Sequence, residues 1–242
     1  MWMTSALGGV SQGSYRAPGS QPGLNLGKHV GDDPLDVEHN RHLVSRHLGA
    51  HVLYMEQIHS ADVAIISRPG DIPSKGDIPK VDALILDTRN WPHDKHIPAL
   101  AVMVADCLPL ALYNSEVMAV VHVGRKGADG GVVKNTIEAM MLNGIDPSGL
   151  QVGIGAHICG DCYQVDSTIA GTFLERYPEA LKVQGARNFG LDLGLIVEKQ
   201  LRQAGVEAAI KRLGGCTLCC DRYYSYRRSK TCGRQALILA KS

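Results

Sequence analysis

The chain has 242 residues, which favours one large domain over two small ones. Its 25 Lys and Arg residues against 24 Asp and Glu leave a formal charge of +1. Such a balance excludes the cationic footprint expected for a partner such as duplex nucleic acid or an anionic membrane surface. Seven Cys and ten His stand out. Because an odd cysteine count in a chain this long is not typical of a disulfide scaffold, we expect thiols and imidazoles free for metal binding or chemistry.

The hydrophobic pattern predicts both strands and helices. Helices are predicted at Asp36–Leu48, Asp129–Leu142, Ser167–Arg176 and Asp192–Gln203. Strands are predicted at Val52–Ile58, Val63–Ile66, Ala83–Leu86, Ala99–Ala105, Leu110–Tyr113, Met118–Val123, Gln151–Ile154, Ala208–Leu213 and Ala236–Ala240. The two kinds of element do not alternate one to one. We therefore predict an α+β fold, a single layered domain over residues 1–242 with mixed β-sheets flanked by helices.

No segment of the sequence is typical of membrane insertion or secretion. Residues 1–23 are rich in Gly, Ser and Gln and contain no apolar stretch of the signal-peptide kind. The longest apolar run, Ala99–Tyr113, is interrupted by Asp106 and Pro109 and is too short to span a bilayer. We therefore expect a cytoplasmic protein with no membrane partner.

Three separate segments each place a metal-binding side chain at the end of a predicted strand. These side chains are His59, Cys107 and His122. Two His and one Cys suit Zn²⁺ with a fourth position left for water or substrate. The same donors can hold copper in a trigonal site. The alternative from spacing alone is a buried thiol and two histidines that make ordinary hydrogen bonds.

The segment from Gly124 to Gly131 is a candidate anion site. Its small residues are predicted to form a turn between a strand end and the N-terminus of the next helix, where backbone N–H groups and the helix dipole favour an anion. Arg125 and Lys126 would add charge-assisted contacts to a phosphate. The alternative is a flexible, solvated glycine turn.

Two Cys-x-x-Cys pairs, Cys159/Cys162 and Cys216/Cys219, raise the question of a structural Cys₄ zinc site. The interval between the pairs is far longer than the roughly 15–20 residues of a compact zinc ribbon. We therefore favour packed or idle thiols. The tyrosine- and cation-rich stretch Arg222–Lys230 is interpreted as the wall of a substrate pocket or as an interface strand.

The ordered set of short motifs resembles one family, the bacterial purine nucleoside phosphorylases formerly called laccase-domain or polyphenol-oxidase proteins. The motifs run through nearly the whole chain: Asn25-Leu26-Gly27, Gly31-Asp32, Asn40-Arg41, Gln57-Ile58-His59, Val81-Asp82-Ala83, Ala105-Asp106-Cys107-Leu108-Pro109, Val121-His122-Val123-Gly124, Cys216-Thr217, Ser225-Tyr226-Arg227-Arg228 and Thr231-Cys232-Gly233-Arg234. The resemblance implies a single α+β layered domain in which zinc is held by His59, Cys107 and His122.

The activities implied by the resemblance are phosphorolysis of adenosine, inosine and methylthioadenosine, together with deamination of adenosine. We therefore expect purine nucleosides and inorganic phosphate as small-molecule partners, no nucleic acid, and a monomer or small homo-oligomer. Cys107 and Asp106 are the catalytic candidates, with Asp106 as a proton shuttle in deamination unless it points away from the metal. Arg41, Arg125 and Lys126 are the candidate phosphate contacts.

The sequence departs from the family pattern after the second metal histidine. The family usually has Ala-Gly-Trp-Arg-Gly there, whereas this chain has Val-Gly-Arg-Lys-Gly at 123–127. Lys126 thus supplies a point charge in place of a planar guanidinium. Cys159 and Cys162 have no counterpart in the family pattern.

Three other classes of function stay open at this point. A copper-dependent phenol oxidase would use the two histidines and Cys107 as an electron-transfer site, although the chain has no His-x-His pair of the kind found in trinuclear copper clusters. A metal-free cysteine hydrolase would use Cys107 as nucleophile and His122 or His59 as its base. A non-catalytic RNA-binding module would use the tyrosine- and cation-rich stretch, and the near-zero net charge disfavours it.

Overall fold

The computed structural model describes residues 1–78 and 80–241. Over these residues the helices are α1 (Pro34–Leu48), α2 (Arg125–Gly130), α3 (Val132–Leu142), α4 (Ser167–Leu174) and α5 (Leu193–Gln203). The strands are β1 (Trp2–Met3), β2 (Leu7–Ser11), β3 (Val52–Leu53), β4 (Val63–Ile66), β5 (Ala83–Asp87), β6 (Ala99–Val104), β7 (Leu108–Tyr113), β8 (Val117–Val123), β9 (Gln151–Ile154), β10 (Gln164–Asp166), β11 (Leu181–Val183), β12 (Asn188–Leu191), β13 (Ile210–Arg212) and β14 (Gln235–Leu239).

Two mixed sheets form the centre of the molecule. A six-stranded sheet has the order β13-β9-β7-β8-β5-β4, and a four-stranded sheet has the order β1-β14-β6-β3. Parallel pairs at β4/β5, β9/β13 and β3/β6 combine with antiparallel pairs elsewhere. The central strands β5, β6 and β8 are buried along their whole length. This explains their near-continuous apolar sequences, because both faces of each strand lie inside the protein.

The molecule is built of four layers. Helices α3 and α5 pack on one face of the six-stranded sheet, and the four-stranded sheet packs on the other. Helix α1 covers the outer face of the four-stranded sheet. Alternation along β8 sends Val121 and Val123 toward the helices and Val120 toward the second sheet. By the same alternation His122 projects on the side of the second sheet, at the end of its strand.

The fold class is the predicted one, an α+β architecture with mixed sheets flanked by helices. Two details of the strands differ from the sequence-based expectations. The strand predicted at 52–58 ends at Leu53, because the chain then leaves the sheet and Met55 bridges to Ile78. The strands β1, β2, β10, β11 and β12 were not predicted, and the last three form a small separate sheet. None of the described helices is long and apolar enough to cross a membrane.

The glycine-rich segment is also different from its prediction. A helix, α2, occupies residues 125–130 where a turn was expected. The break from α2 to α3 lies at Gly131, whose φ of 80° is in the left-handed region that glycine adopts without strain. The expectation that a turn leads into a helix at Asp129 is therefore wrong, because the helix already begins at Arg125, directly after the strand. The physical reason is that Gly127 and Ala128 are buried, so the small residues serve close helix packing.

Candidate metal centre and its cavity

His59, Cys107 and His122 meet at one point although they lie on different segments. Their ligand atoms all lie within 4.8 Å of one another. The Cys107 Sγ is 3.9 Å from His59 Nε2, and the two imidazole rings pack edge to face with centroids 4.7 Å apart. His122 is buried at the end of β8, whereas His59 is exposed and lies on the loop after β3. The arrangement matches the open three-ligand set predicted from the sequence.

Asp82 organises this site from beneath. Its side chain is fully buried just before β5. Its Oδ1 accepts the backbone N–H of His59 at 3.0 Å and lies 2.7 Å from His122 Nδ1. Its Oδ2 accepts the backbone N–H groups of Ile58 and Ser60 at 3.2 and 2.6 Å, and the Ser60 hydroxyl at 2.9 Å. One carboxylate therefore fixes both the loop that carries His59 and the ring of His122.

The sequence-based site prediction did not include Asp82. The sequence feature that could have identified Asp82 is a carboxylate directly before a strand that begins with apolar residues. A fully buried carboxylate needs partners, so such a residue marks a polar cluster. Burial acts to raise the pKa of Asp82, but hydrogen bonds from His122 and Ser60 outweigh it, and the pKa is lowered. Asp82 is therefore held as the anion.

The residues present fit a bound metal ion. The Nδ1 of His122 is hydrogen-bonded to the Asp82 carboxylate, which leaves Nε2 as the nitrogen that would bind an ion, and an ion bound there would displace the Nε2 proton. Removal from solvent opposes the charged form of both His122, which is buried, and Cys107, which is half-buried. The Cys107 thiolate and Asp82 nevertheless raise the pKa of His122, and the two histidines lower the pKa of the Cys107 thiol. The thiolate, which is the ligand form of cysteine, is thus favoured.

Gly124 allows the three ligands to approach. A Cβ at this position would lie 2.9 Å from His59 Cδ2 and 3.2 Å from Cys107 Sγ, which is closer than packed carbon atoms tolerate. The absence of a side chain at the end of β8 therefore leaves room for the imidazole and the thiol. His59 itself has a φ of 62°, a left-handed conformation that is costly for a residue with a Cβ. The Asp82 hydrogen bond to its N–H holds it there.

The three ligands open into a cavity of about 560 Å³, within the range of roughly 300–1,000 Å³ typical of small-molecule sites. Its walls combine apolar and aromatic groups with cations. The apolar and aromatic members include Met103, Val104, Ile158, Tyr163, Leu193 and Tyr226, and the cationic members are Arg227, Lys230 and Arg234. The tyrosine- and cation-rich stretch predicted as a pocket wall therefore lines this cavity, and it forms no strand.

Asp106 also lines the cavity, and it anchors one of its walls. Its Oδ1 accepts the Thr217 hydroxyl at 2.6 Å, and its Oδ2 accepts the backbone N–H of Arg227 at 2.6 Å. Its φ of 96° lies in the left-handed region. Both oxygens thus accept hydrogen bonds from the segment between β13 and β14.

The predicted phosphate contacts are placed differently from one another. Arg125 is half-buried and lies near the cavity, close to the lining residue Tyr163. Burial raises the pKa of Tyr163, and the charges of Arg125 and Arg227 partly offset that rise. Lys126 is exposed on α2 and does not line the cavity. Three cations that the sequence-based site prediction did not name, Arg227, Lys230 and Arg234, line it instead. The sequence feature that could have identified these cations is their position in or between the family-like motifs at 225–228 and 231–234.

Arg41 is not brought into the cavity. Its guanidinium donates to both oxygens of Asp77, at 2.6 and 3.0 Å, and its Nε donates to the Leu26 carbonyl at 2.8 Å. It also stacks over the Tyr54 ring, 3.9 Å from the centroid. These contacts occupy its donors in a structural role between α1 and the neighbouring loops, so the structure does not support Arg41 as a phosphate contact.

The two Cys-x-x-Cys pairs come together in the folded protein. The sequence interval between them favoured packed or idle thiols, and the Sγ atoms of Cys159, Cys162, Cys216 and Cys219 all lie within 4.8 Å of one another. The long interval does not keep the two pairs apart, because spacing along the chain does not determine a tertiary contact; four thiols packed together agree with the packed-thiol prediction and also with a metal site. The residues after β9 run beside the segment after β13, and a bridge between His157 and Cys216 aligns the two pairs.

Comparison with known proteins gives a consistent family. A family model described as "Multi-copper polyphenol oxidoreductase laccase" matches residues 1–241. A purine nucleoside phosphorylase of Streptomyces coelicolor is 37% identical over 96% of this chain and 91% of its own length. One of Corynebacterium glutamicum is 36% identical over 98% of this chain and 92% of its own length. The crystal structure of a Neisseria meningitidis protein superposes with a TM-score of 0.83 at 34% identity, covering 99% of this chain and 93% of that one.

Proposed function

Because this chain belongs to the multi-copper polyphenol oxidoreductase laccase family, and its relatives carry the name purine nucleoside phosphorylase, we propose that it is a purine nucleoside phosphorylase. The substrates proposed are adenosine, inosine and methylthioadenosine, with inorganic phosphate as the second substrate. His59, Cys107 and His122 would hold a zinc ion at the base of the cavity, as their donor set and the Asp82–His122 contact indicate.

One observation carries this proposal, namely that three cations share a cavity with the His/Cys/His set. Arg227, Lys230 and Arg234 line the same 560 Å³ space. Asp106 is the only carboxylate among the described lining residues, and its oxygens accept hydrogen bonds from the wall itself. An anion placed between the cations and the ligand set would meet mostly positive charge. Phosphate suits this environment because guanidinium and ammonium groups bind its oxygens with charge-assisted hydrogen bonds.

In the proposed reaction a phosphate oxygen attacks C1′ of the ribose, the C1′–N9 bond breaks, and the bonding electrons leave with the purine, which takes up a proton. The products are the free base and the 1-phosphate of the nucleoside's sugar, which is ribose 1-phosphate from adenosine or inosine and 5-methylthioribose 1-phosphate from methylthioadenosine. The cations would hold the phosphate against C1′. They would also reduce the electrostatic repulsion between the phosphate and the ribose ring oxygen while positive charge develops on the sugar. Tyr163 and Tyr226 offer aromatic faces on which a purine can stack. A bound zinc ion would supply Lewis-acid stabilisation of negative charge.

Deamination of adenosine is a second candidate, and the position of Asp106 favours it. A deaminase needs a carboxylate near the metal set to move protons between the attacking water and the leaving ammonia. Asp106 precedes Cys107 and faces the same cavity. Phenol oxidation has less support, since neither phenols nor oxygen need the cations of the cavity wall. A metal-free cysteine hydrolase would use the same contacts, with Asp82 orienting His122 as the base for Cys107, and inhibition by a thiol alkylator but not by a chelator would support it.

The experiment is product analysis of adenosine, inosine and methylthioadenosine incubated with protein of known metal content, with and without phosphate. Phosphorolysis predicts free adenine or hypoxanthine, together with the sugar phosphate, only when phosphate is present. Deamination predicts inosine from adenosine in both conditions. Intact nucleosides after prolonged incubation of zinc-loaded protein would refute both proposals. Oxygen uptake with a phenol and copper-loaded protein would instead support the oxidase.

A further inference from the structure

We propose that Cys159, Cys162, Cys216 and Cys219 form a second metal site, a structural zinc tetrathiolate that is separate from the His/Cys/His set. Cys159 and Cys162 lie between β9 and β10, and Cys216 and Cys219 lie between β13 and β14. Three of the thiols are half-buried and Cys219 is exposed. The site does not depend on the reaction proposed above.

The distances are those of a set of ligands around one point. All four Sγ atoms lie within 4.8 Å of one another, and those of Cys162 and Cys219 are 3.3 Å apart. Zinc–sulfur bonds of about 2.3 Å in a tetrahedron place the sulfur atoms about 3.8 Å apart. Small side-chain rotations therefore close the site. A disulfide between Cys162 and Cys219 would use only two of the thiols and would not account for the convergence of the other two.

The backbone holds both pairs in tight turns that aim the thiols at the same centre. The N–H of Cys162 donates to the Cys159 carbonyl at 3.0 Å, and the N–H of Cys220 donates to the Cys216 carbonyl at 3.0 Å. The two turns are also joined, since the N–H of Cys159 donates to Cys216 Sγ at 3.3 Å. The last of these donors orients the Cys216 thiolate and offsets its charge, whereas the other two hold the turns. They exist in the structure independently of any ion.

Cations beside the turns complement the charge of a zinc tetrathiolate, which is −2. Lys182 pairs with Asp161 inside the Cys159–Cys162 turn. The guanidinium of Arg228 donates to the carbonyls of Thr217, Leu218 and Cys220, around the Cys216–Cys219 turn. Because Asp161 already offsets the charge of Lys182, Arg228 is the one of these cations that reduces the charge of the tetrathiolate, from −2 to −1, which lowers the cost of gathering four thiolates near the surface.

The position of the cluster indicates what the metal would do. Thr217, next to Cys216, donates its hydroxyl to Asp106, and the same carboxylate accepts the N–H of Arg227 in the cavity wall. A metal that joins the two turns would thus fix the segment that carries Arg227 and Lys230. Since long irregular segments lose much conformational entropy when ordered, a metal crosslink is an effective way to hold this one.

The test is zinc content per chain, measured by elemental analysis of the purified full chain and its variants. We expect the double variant Cys162→Ser/Cys219→Ser to contain one zinc ion fewer than the wild type. The matched control is Cys220→Ser, which removes a neighbouring thiol outside the cluster and should leave the content unchanged. Equal zinc content in the double variant and the control would overturn the proposal.

A second measurement avoids any change to the cluster. In Cys107→Ala, which disables the other site, we expect X-ray absorption at the zinc edge to show four sulfur neighbours at about 2.3 Å and no nitrogen or oxygen neighbour. Zinc-free Cys107→Ala protein would overturn the proposal. So would an intact mass lower by two hydrogens in the denatured, unreduced chain, because that deficit would identify a disulfide.

Discussion

Asp82 is the residue whose replacement tests the construction of the candidate metal centre most directly. Asp82→Asn keeps the size of the side chain but turns one acceptor oxygen into an NH₂ donor. If the NH₂ group takes the Oδ1 position, His122 Nδ1 must accept, its proton moves to Nε2, and that nitrogen can no longer bind a metal. If it takes the Oδ2 position, the backbone N–H groups of Ile58 and Ser60 face a donor.

The structure sets the size of the expected effect. Loss of a buried partner that orients a metal-bound histidine typically lowers metal affinity by about 10–100-fold, or about 1.4–2.7 kcal/mol. Each buried donor left without an acceptor costs about 1–3 kcal/mol, so two such donors lower the free energy of unfolding by about 2–6 kcal/mol. Both orientations of the amide are unfavourable, and no rotation of the side chain avoids the loss.

The assay is zinc affinity, measured by competition with a chromogenic chelator, together with urea unfolding of the metal-free protein. Asp62→Asn is the matched control, because Asp62 is an exposed carboxylate on the loop that carries His59 and has no side-chain hydrogen bond of its own in the described structure. We expect only Asp82→Asn to weaken zinc binding and stability. Unchanged zinc affinity and unfolding free energy in Asp82→Asn would refute the conclusion that this carboxylate organises the site.

Four further changes test the cavity. Gly124→Ala should weaken metal binding by about 1–3 kcal/mol through its clash with His59 and Cys107. The control is Gly130→Ala, whose Cβ would lie 3.5 Å from its nearest neighbour and should leave metal binding unchanged. Equal zinc affinities of the two variants in chelator competition would contradict this. Cys107→Ala should remove one zinc ion per chain and abolish turnover, and an unchanged zinc content would show that Cys107 is not a ligand. Asp106→Asn keeps both hydrogen bonds to the wall, because the threonine hydroxyl that donates to Asp106 can also accept, so phosphorolysis should be spared. It removes the carboxylate that would move protons, so deamination should fall by about 10²–10⁴-fold in product assays. Equal retention of both activities would limit Asp106 to anchoring the wall. Arg227→Ala keeps the hydrogen bond from the backbone N–H of residue 227 to Asp106 and removes only the guanidinium. It should raise the KM for phosphate by about tenfold or more, as expected for a lost charged hydrogen bond. An unchanged KM would place the phosphate elsewhere.

The fold follows from the sequence where local pattern decides it. The apolar runs that became β5, β6, β8 and β14 could be recognised because strands buried on both faces have few polar residues. The short strands β10, β11 and β12 could not be recognised, since they are partly exposed and their pairing depends on one another. The break at Gly131 was missed because the glycines of the segment indicate a turn by composition, whereas close packing of Gly127 and Ala128 allows a helix there.

The candidate site divides in the same way. The donor chemistry of His59, Cys107 and His122 was visible in the sequence, because few residue types bind transition metals. The convergence of these residues depends on strand ends that meet only in the folded sheets. Arg41 shows the opposite case: its charge suggested phosphate, but Asp77 and the Leu26 carbonyl already occupy its donors.

By itself the sequence determined the fold class, the apolar strands and the set of residues able to bind a metal, since these follow from hydrophobic period and side-chain chemistry. Only the tertiary structure decided which of them meet. It placed the Asp82 carboxylate under both histidines. It also brought two cysteine pairs together that lie 57 residues apart in the chain. The physical reason is that burial and long-range pairing, rather than spacing along the chain, set the distance between two side chains.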